Sequence, residues 1–485
     1  MAVDAALVDA VLGWLIRRFS RRILDFPEAP SGAELPDPAP GRLYMLYLHV
    51  PYCTALCPFC SFHRVQFKHG AATRYFECLR SEIEIVADRG YRHDEVYFGG
   101  GTPTVLPEEI FATIELLRGL HPLGEISIET NPDHLGKDAM DRLRDAGINR
   151  LSVGVQSFDD GLLREMERFD KYGSGTDIRR RLRRVHGTFD TLNVDMIFNL
   201  PHQTEVMLRR DLEILVDEIG AEQVSFYPLM TAGGTREAMR AAMGDVSYAN
   251  ERRYYEIIAG RMLDAGYSRS SSWCFSRKQG MADEYIVDRD EYVGLGSGAF
   301  SYLGGTLYAS TFSLGQYRRL IGDGKTGVVF RQAMSDREQM RYYLLMLLFG
   351  GSLDLAIAEA QFGGRFRRRL WAELMALQTI GAVKEREGHL TLTERGHYLW
   401  VMIMREFFSG VNRLREEMRQ RVKRVKDRHA MAGTQWRRRR NPPRPDNEQT
   451  YKNLYQCISM DRHAPITTYN DGQSRTPAEN KDRHR

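Results

Sequence analysis

Short runs of apolar residues alternate with amphipathic helical patterns through the first half of the chain. Such alternation is typical of parallel strands with helices packed outside them. We predict strands at residues 43–50, 95–98, 126–130, 150–155, 191–198 and 223–227, and helices at 71–88, 108–118, 137–146 and 205–218, with further helices up to residue 185. Six such units predict an α/β fold, a partial (β/α)6 barrel open enough to admit a bulky substrate.

The N-terminal part, residues 1–42, combines an amphipathic stretch with a Pro-rich linker from Pro27 to Pro40. Its arginines follow the apolar positions, and no small-residue cleavage site comes after them. We therefore predict a helix that docks on the main domain, and not a secretion signal; binding to a membrane surface is the less favoured alternative.

The pattern changes after the barrel region, which we place at residues 43–330 together with accessory strands. Residues 331–425 predict a winged-helix-like helical module, opened by a capping box at Ser335 and Glu338. The last helix, 398–419, is apolar on one face, which favours docking as a lid or support over DNA binding. Residues 426–485 are polar and rich in Arg and Pro, and we predict a disordered basic tail.

Composition narrows the possible classes of protein. The chain has 485 residues, 42% of them hydrophobic, and a formal net charge of +4, which argues against a domain that binds nucleic acid. No apolar stretch approaches the roughly 20 residues that span a bilayer. Six cysteines in this length do not make a disulfide scaffold, so we expect a cytoplasmic protein.

Three of the cysteines, Cys53, Cys57 and Cys60, lie within one short run. Three thiolates at this spacing can bind three irons of a 4Fe–4S cluster and leave the fourth iron open to a small molecule. A dithiol redox pair, or a zinc site completed by His49 or His63, is the alternative, but no second zinc knuckle follows. Cys78 and Cys274 fit core positions, and Cys457 stands alone.

Further candidate residues follow the predicted strands. They are Gly99-Gly100-Gly101-Thr102-Pro103, Glu129-Thr130-Asn131-Pro132, Gln156-Ser157-Phe158 and Asp195. In parallel barrels the chemistry lies at the carboxyl ends of the strands. We therefore expect these residues to share one rim with the cysteine loop.

Together these motifs, with Asn193-x-Asp195-x-Ile197-x-x-Leu200-Pro201, resemble the radical S-adenosylmethionine superfamily. They look most like its branch that contains oxygen-independent coproporphyrinogen III oxidase. The resemblance runs from about Tyr44 to Arg419.

The resemblance implies a 4Fe–4S cluster on Cys53, Cys57 and Cys60. It also implies a binding site for two molecules of S-adenosylmethionine, contacted by Tyr47, Gly100, Gly101, Thr102, Glu129, Gln156, Arg168 and Asp195. In this branch, one electron from the cluster cleaves adenosylmethionine to a 5′-deoxyadenosyl radical. A reductant such as flavodoxin or ferredoxin would supply the electron.

Within the branch, the sequence leaves three functions open. Cys60 is followed by Ser61-Phe62 in place of the oxidase pattern Cys-x-Cys, and no histidine lies between His202 and His389 to match a heme-carrying subgroup. These departures favour methyl or methylene transfer (methylation or cyclopropanation) to an sp2 carbon of a natural product, with a separate methyltransferase as a further partner. The alternatives are coproporphyrinogen oxidation and heme delivery.

The acceptor is not named by the sequence. Tyr227, Met230, Trp273, Tyr285 and Tyr292 are candidate wall residues. Their side chains indicate a flat or aromatic small-molecule substrate, and core packing would explain them equally well.

Overall fold

The computed structural model describes residues 5–24, 34–230, 233–278 and 291–440. Its main feature is a sheet of twelve strands. Six neighbouring strands in this sheet run parallel, each beside the next along the chain. Their bounds are Leu43–Val50, Arg92–Gly100, Ile126–Thr130, Arg150–Gln156, Thr191–Phe198 and Gln223–Pro228. The predicted (β/α)6 arrangement is confirmed, and we refer to these as barrel strands one to six.

The barrel strands form because their side chains are covered on both faces. Seven of the eight residues in the first strand are buried, as expected for a parallel strand enclosed by helices. The helices outside them are His69–Asp88, Pro107–Leu120, Lys137–Asp145, Asp160–Glu165, Phe169–Tyr172, Gly175–Val185 and Glu205–Glu213, with short 3₁₀ turns at Pro103–Val105 and Pro132–His134. The helix predicted for 205–218 is α-helical only as far as Glu213 and continues as a π-helical turn, Ile214–Ile219.

Strands of mixed direction extend the sheet on both sides. Tyr292–Leu295 pairs in parallel with barrel strand one, and Phe300–Leu303, Thr306–Ser310 and Val328–Ala333 follow it as an antiparallel meander. Cys274–Ser276 and Ser268–Arg269 add antiparallel strands next to barrel strand six. Helices Gly233–Met243, Glu251–Asp264 and Leu314–Gly322 lie between these strands in the chain.

The C-terminal module has the predicted winged-helix-like order. Its helices are Asp336–Phe349, Leu355–Gln361, Phe366–Arg369, Trp371–Thr379 and Glu394–Arg440, with a small sheet of Ser352–Asp354, Val383–Arg386 and His389–Leu392. The capping box is present, since Ser335 Oγ and N both donate to Glu338 Oε2, at 2.6 and 2.9 Å.

One prediction about this module needs correction. The final helix does not end near residue 419 but runs to Arg440, so residues 426–440 are helical where we predicted disorder. The physical reason is that this stretch contains no proline until Pro442 and Pro443, and Arg and Lys favour helix. Residues 441–485 lie outside the described residues.

The N-terminal helix, Ala5–Ile23, packs against the C-terminal module. Ile23 is buried in the module's core, and Arg17 and Arg22 form ion pairs with Glu406 and Glu338 at 3.0 and 2.6 Å. The segment is therefore a docking helix, but it docks on the C-terminal module and not on the main domain as predicted, because its ion-pair partners Glu406 and Glu338 lie in that module. Within the part of the chain that the structure describes, no helix combines the length and apolar character needed to cross a membrane.

Candidate functional site

One cavity receives the carboxyl ends of all six barrel strands. Its volume is about 290 Å³. All the residues predicted as ligands or contacts line it: Tyr47, Cys53, Cys57, Cys60, Gly100, Gly101, Thr102, Glu129, Gln156, Arg168 and Asp195. They meet there because parallel strands end at a common rim, as the sequence predicted. Their individual roles remain predictions.

The cysteine loop is closed by two short parallel strands, Tyr52–Cys53 and Val65–Gln66. Arg64 holds the loop from inside, since its guanidinium donates to the carbonyl oxygens of Cys57 and Cys60. Cys53 and Cys57 are each only 8% exposed, while Cys60 is half-buried. Three sulfur side chains are therefore carried by one constrained loop at the cavity wall.

The histidines near this loop form hydrogen bonds with residues other than the cysteines. His49 Nε2 lies 2.9 Å from the carbonyl oxygen of His63, and its Nδ1 lies 3.0 Å from the Tyr47 hydroxyl. His63 Nε2 lies 3.1 Å from Ser297 Oγ. Among the described residues, no three His, Cys, Asp or Glu side chains converge on one point that could hold a single metal ion. A cubane cluster does not need such convergence, because each of its cysteines binds a different iron.

The surroundings of Cys53 fit a bulky inorganic group on the cavity side. A Cβ on Gly101 would lie 3.0 Å from Cys53 Sγ and 2.7 Å from the carbonyl oxygen of Tyr52, so only glycine allows this approach. The Thr102 hydroxyl donates to Cys53 Sγ at 3.6 Å. Burial raises the pKa of the Cys53 thiol to about 11, so a bound metal is needed to hold it as thiolate at neutral pH.

Glu129, at the end of barrel strand three, is an acidic group held within the cavity wall. Its Oε1 accepts from Tyr97 Oη and its Oε2 from Gly100 N, both at 3.0 Å. Burial, with the negative charge of Asp195 nearby, raises the pKa of Glu129 to about 7. Asp195 accepts from Ser152 Oγ at 2.7 Å and from Asn193 Nδ2 at 2.8 Å. Two neighbouring acids on this wall suit a cationic ligand.

Gln156 and Arg168 also line the cavity, and Gln156 ends the strand that lies between those of Glu129 and Asp195. Gln156 ends barrel strand four with φ of 78°, a conformation that non-glycine residues rarely adopt. Arg168 is 3% exposed, and its guanidinium donates to the carbonyl oxygen of Gly154 and approaches Cys57 Sγ. The resemblance implies a contact of Arg168 with S-adenosylmethionine; in this structure its contacts are with Gly154, with Cys57 and with the Tyr172 ring.

The C-terminal helix covers the cavity with residues that the sequence did not single out. Phe408, Asn412 and Arg415 project from it into the lining. Arg415 Nη1 donates to Asn412 Oδ1 at 2.9 Å, and its guanidinium lies over the Phe62 ring. No local motif marks these residues, because their helix is more than 300 residues from the cysteines in sequence.

The barrel also contributes the lining residues Arg64 and Tyr97, which the sequence did not mark as site residues. Asn131, from the predicted motif Glu129-Thr130-Asn131-Pro132, lines the cavity as well. Of the candidate wall residues, Tyr227, Met230 and Trp273 line the cavity, whereas Tyr292 is buried and Tyr285 lies outside the described residues. Cys78 packs against the core and Cys274 is fully buried.

The radical SAM superfamily model matches residues 47–215, which hold the end of barrel strand one, the cysteine loop and barrel strands two to five. The chain belongs to the radical SAM superfamily, in its branch of coproporphyrinogen III oxidase-like proteins. Its cofactors are accordingly a 4Fe–4S cluster and S-adenosylmethionine.

Individual relatives agree with this assignment. The heme chaperone HemW of Mycobacterium tuberculosis is 29% identical over 398 residues, 78% of this chain and 98% of the relative. The oxygen-independent coproporphyrinogen III oxidase of Bradyrhizobium diazoefficiens is 28% identical over 337 residues, 64% of this chain and 73% of the relative.

The solved structure of Escherichia coli coproporphyrinogen III oxidase, a radical SAM enzyme, shares the fold. Its TM-score is 0.64 at 24% identity, and the match covers 81% of this chain and 93% of that one. This chain therefore shares its fold with an experimental structure over most of its length.

Proposed function

We propose that this radical SAM protein acts on a tetrapyrrole and oxidatively decarboxylates a propionate side chain of a coproporphyrinogen-type substrate. One observation carries the proposal: an aromatic-walled cavity opens directly onto the cluster cysteines, in a chain whose named relatives handle heme or coproporphyrinogen. Similarity to those relatives favours the tetrapyrrole alternatives over methylene transfer to a natural product.

One wall of the cavity suits a flat macrocycle. Tyr227 and Phe408 line this wall, and each packs against the fully buried Trp273, with ring centroids 5.5 and 5.6 Å away. Trp273 thus supports two partly exposed rings on which a flat ligand can stack. Arg415 lies on the same wall, and a guanidinium is suited to hold a propionate in bidentate fashion.

The cluster, when bound, supplies the electron for reductive cleavage of adenosylmethionine, and the resulting radical abstracts hydrogen. The chain's own residues orient the reactants and exclude water. Glu129 and Asp195 present negative charge to the cationic adenosylmethionine, and Phe408 with the C-terminal helix covers the cavity. Loss of carbon dioxide from the substrate radical also releases one electron, which an external one-electron acceptor must take as the vinyl group forms.

The test uses the full chain, reconstituted anaerobically and incubated with dithionite, adenosylmethionine, coproporphyrinogen III and a one-electron acceptor. We expect 5′-deoxyadenosine and carbon dioxide in amounts that depend on the substrate. The Cys60→Ser variant, which removes one iron ligand, should form neither, while Cys78→Ser, remote from the cavity, should behave as wild type. Formation of 5′-deoxyadenosine without any carbon dioxide would overturn the decarboxylation.

Heme delivery is the second candidate function, and one observation favours it. The matched heme chaperone is covered over almost its whole length. If the reconstituted chain binds heme stoichiometrically and releases it to an apoprotein, and yields no carbon dioxide, this candidate replaces the first. If methylthioadenosine or adenosylhomocysteine forms with 5′-deoxyadenosine, methylene transfer replaces both.

A further inference from the structure

Arg168 is a buried cation beside one of the cluster cysteines. It is the N-cap residue of the short helix Phe169–Tyr172 and is only 3% exposed. Its Nη1 lies 3.7 Å from Cys57 Sγ, and its Nη2 donates to the carbonyl oxygen of Gly154. The Tyr172 ring lies against the guanidinium, with its centroid 4.3 Å from Cζ. Cys57, Gly154 and Tyr172 therefore fix the orientation of the guanidinium.

A buried guanidinium requires an opposite charge, because moving an ion out of water costs several kcal/mol when it is uncompensated. Among the described residues, no carboxylate lies within 4.0 Å of the Arg168 guanidinium. Its Nε is buried and has no hydrogen-bond partner. Before S-adenosylmethionine binds, the negative group that this geometry provides for is therefore at Cys57, the thiolate that would bind iron.

We infer that Arg168 is a counter-charge for the iron–sulfur cluster and raises its reduction potential. Reduction adds one electron, hence one unit of negative charge, to a group whose cysteine ligand already faces this guanidinium. A fixed cation and an N–H···S hydrogen bond stabilise the reduced form more than the oxidised form. The electron comes from an external low-potential donor, and no proton transfer is required of Arg168.

The other cysteines have weaker support of this kind. Cys53 Sγ receives a neutral hydroxyl donor, Thr102 Oγ1, at 3.6 Å. Arg64 directs its guanidinium to the backbone carbonyl oxygens of Cys57 and Cys60, where it holds the loop. Within the described residues, Arg168 is thus the cationic side chain that donates a hydrogen bond to a sulfur of the cluster cysteines.

The experiment is a redox titration of the reconstituted full chain, followed by electron paramagnetic resonance of the reduced cluster. It is done without adenosylmethionine and without substrate, so its outcome is independent of the proposed function. Arg168→Gln keeps hydrogen-bond donors but removes the charge, Arg168→Met removes both, and Arg168→Lys keeps the charge. Arg164→Gln removes the same charge from the exposed residue four positions earlier and serves as the matched control.

We expect the equilibrium constant for reduction to fall about tenfold in Arg168→Met, which corresponds to a midpoint shift of about 59 mV for one electron. Arg168→Gln should fall by a smaller factor, and Arg168→Lys and Arg164→Gln should stay near wild type. Potentials are compared for protein with equal iron content. Unchanged midpoints in both Arg168→Gln and Arg168→Met would overturn the inference. An equal shift in Arg164→Gln would also overturn it, because it would reveal a general charge effect.

Discussion

Gly100 N donates to Glu129 Oε2 at 3.0 Å, and this bond ties the glycine turn of barrel strand two to the end of barrel strand three. The same carboxylate accepts from the Tyr97 hydroxyl. Glu129 therefore does two things. It fixes the backbone of the glycine turn and presents a carboxylate to the cavity, which connects ligand binding to the ionisation of one residue.

The affinity for adenosylmethionine should depend on pH through Glu129. Its pKa is raised from 4.5 to about 7, mainly by burial, so in the ligand-free protein the group holds a proton below that pH. A cationic ligand favours the ionised form, and affinity should weaken by up to about tenfold per pH unit as pH falls below 7. Calorimetric titration of the anaerobic protein measures this. Glu129→Gln should bind more weakly at neutral pH and show no such slope; a wild-type affinity that is constant with pH would contradict the assignment.

Gly101→Ala should disrupt the cluster loop. The added methyl group would lie 2.7 Å from the carbonyl oxygen of Tyr52 and 3.0 Å from Cys53 Sγ, so the loop must move. We expect markedly less bound iron per chain, with circular dichroism unchanged. Gly119→Ala is the control, because a Cβ there has no neighbour within 4 Å, and it should be neutral or stabilise the helix by up to about 1 kcal/mol. Full iron content in Gly101→Ala would refute this view of the loop.

The ion pair between Glu251 and Arg405 should anchor the C-terminal helix to the barrel. Glu251 is fully buried and Arg405 is 6% exposed. Removing one partner leaves the other charge buried, so Arg405→Met should lower the free energy of unfolding by about 3–5 kcal/mol. The double variant Glu251→Gln/Arg405→Met should recover much of this loss. Urea denaturation monitored by tryptophan fluorescence provides the measurement, and equal losses in the single and double variants would argue against the pair.

Asp211 should make the stability depend on pH. It is buried beside the turn that carries Gln156, where its carboxylate accepts from Ser157 Oγ at 2.8 Å and from Phe158 N at 3.0 Å. Burial raises its pKa from 3.8 to about 7. Because the folded-state pKa is raised, its stability contribution is fully present below about pH 3.8 and is lost as pH rises towards 7.

The measurement compares wild type with Asp211→Asn, which keeps the shape and can accept from Phe158 N. The wild type should lose up to a few kcal/mol of unfolding free energy relative to the variant between about pH 4 and about pH 7. Parallel curves for the two proteins across this range would show that the group does not titrate as described.

The barrel and the cluster loop were determined by the sequence itself. Local sequence patterns predict strands such as 43–50 and 126–130, because the apolar runs are visible in the sequence. The spacing of Cys53, Cys57 and Cys60 is visible there in the same way. The meeting of Glu129, Gln156 and Asp195 at one rim followed from a single rule about parallel strands. These predictions needed only the order of residues along the chain.

The tertiary structure alone decided which distant groups meet. It placed Phe408 and Arg415 over the cavity, set Arg168 against Cys57, buried Glu251 with Arg405, and carried the last helix on to Arg440. Such contacts join residues that lie about 110 to 360 positions apart. They form where helices of complementary shape pack together and bury their surfaces. The periodicity of the sequence does not predict these contacts, because they depend on which two surfaces meet after folding.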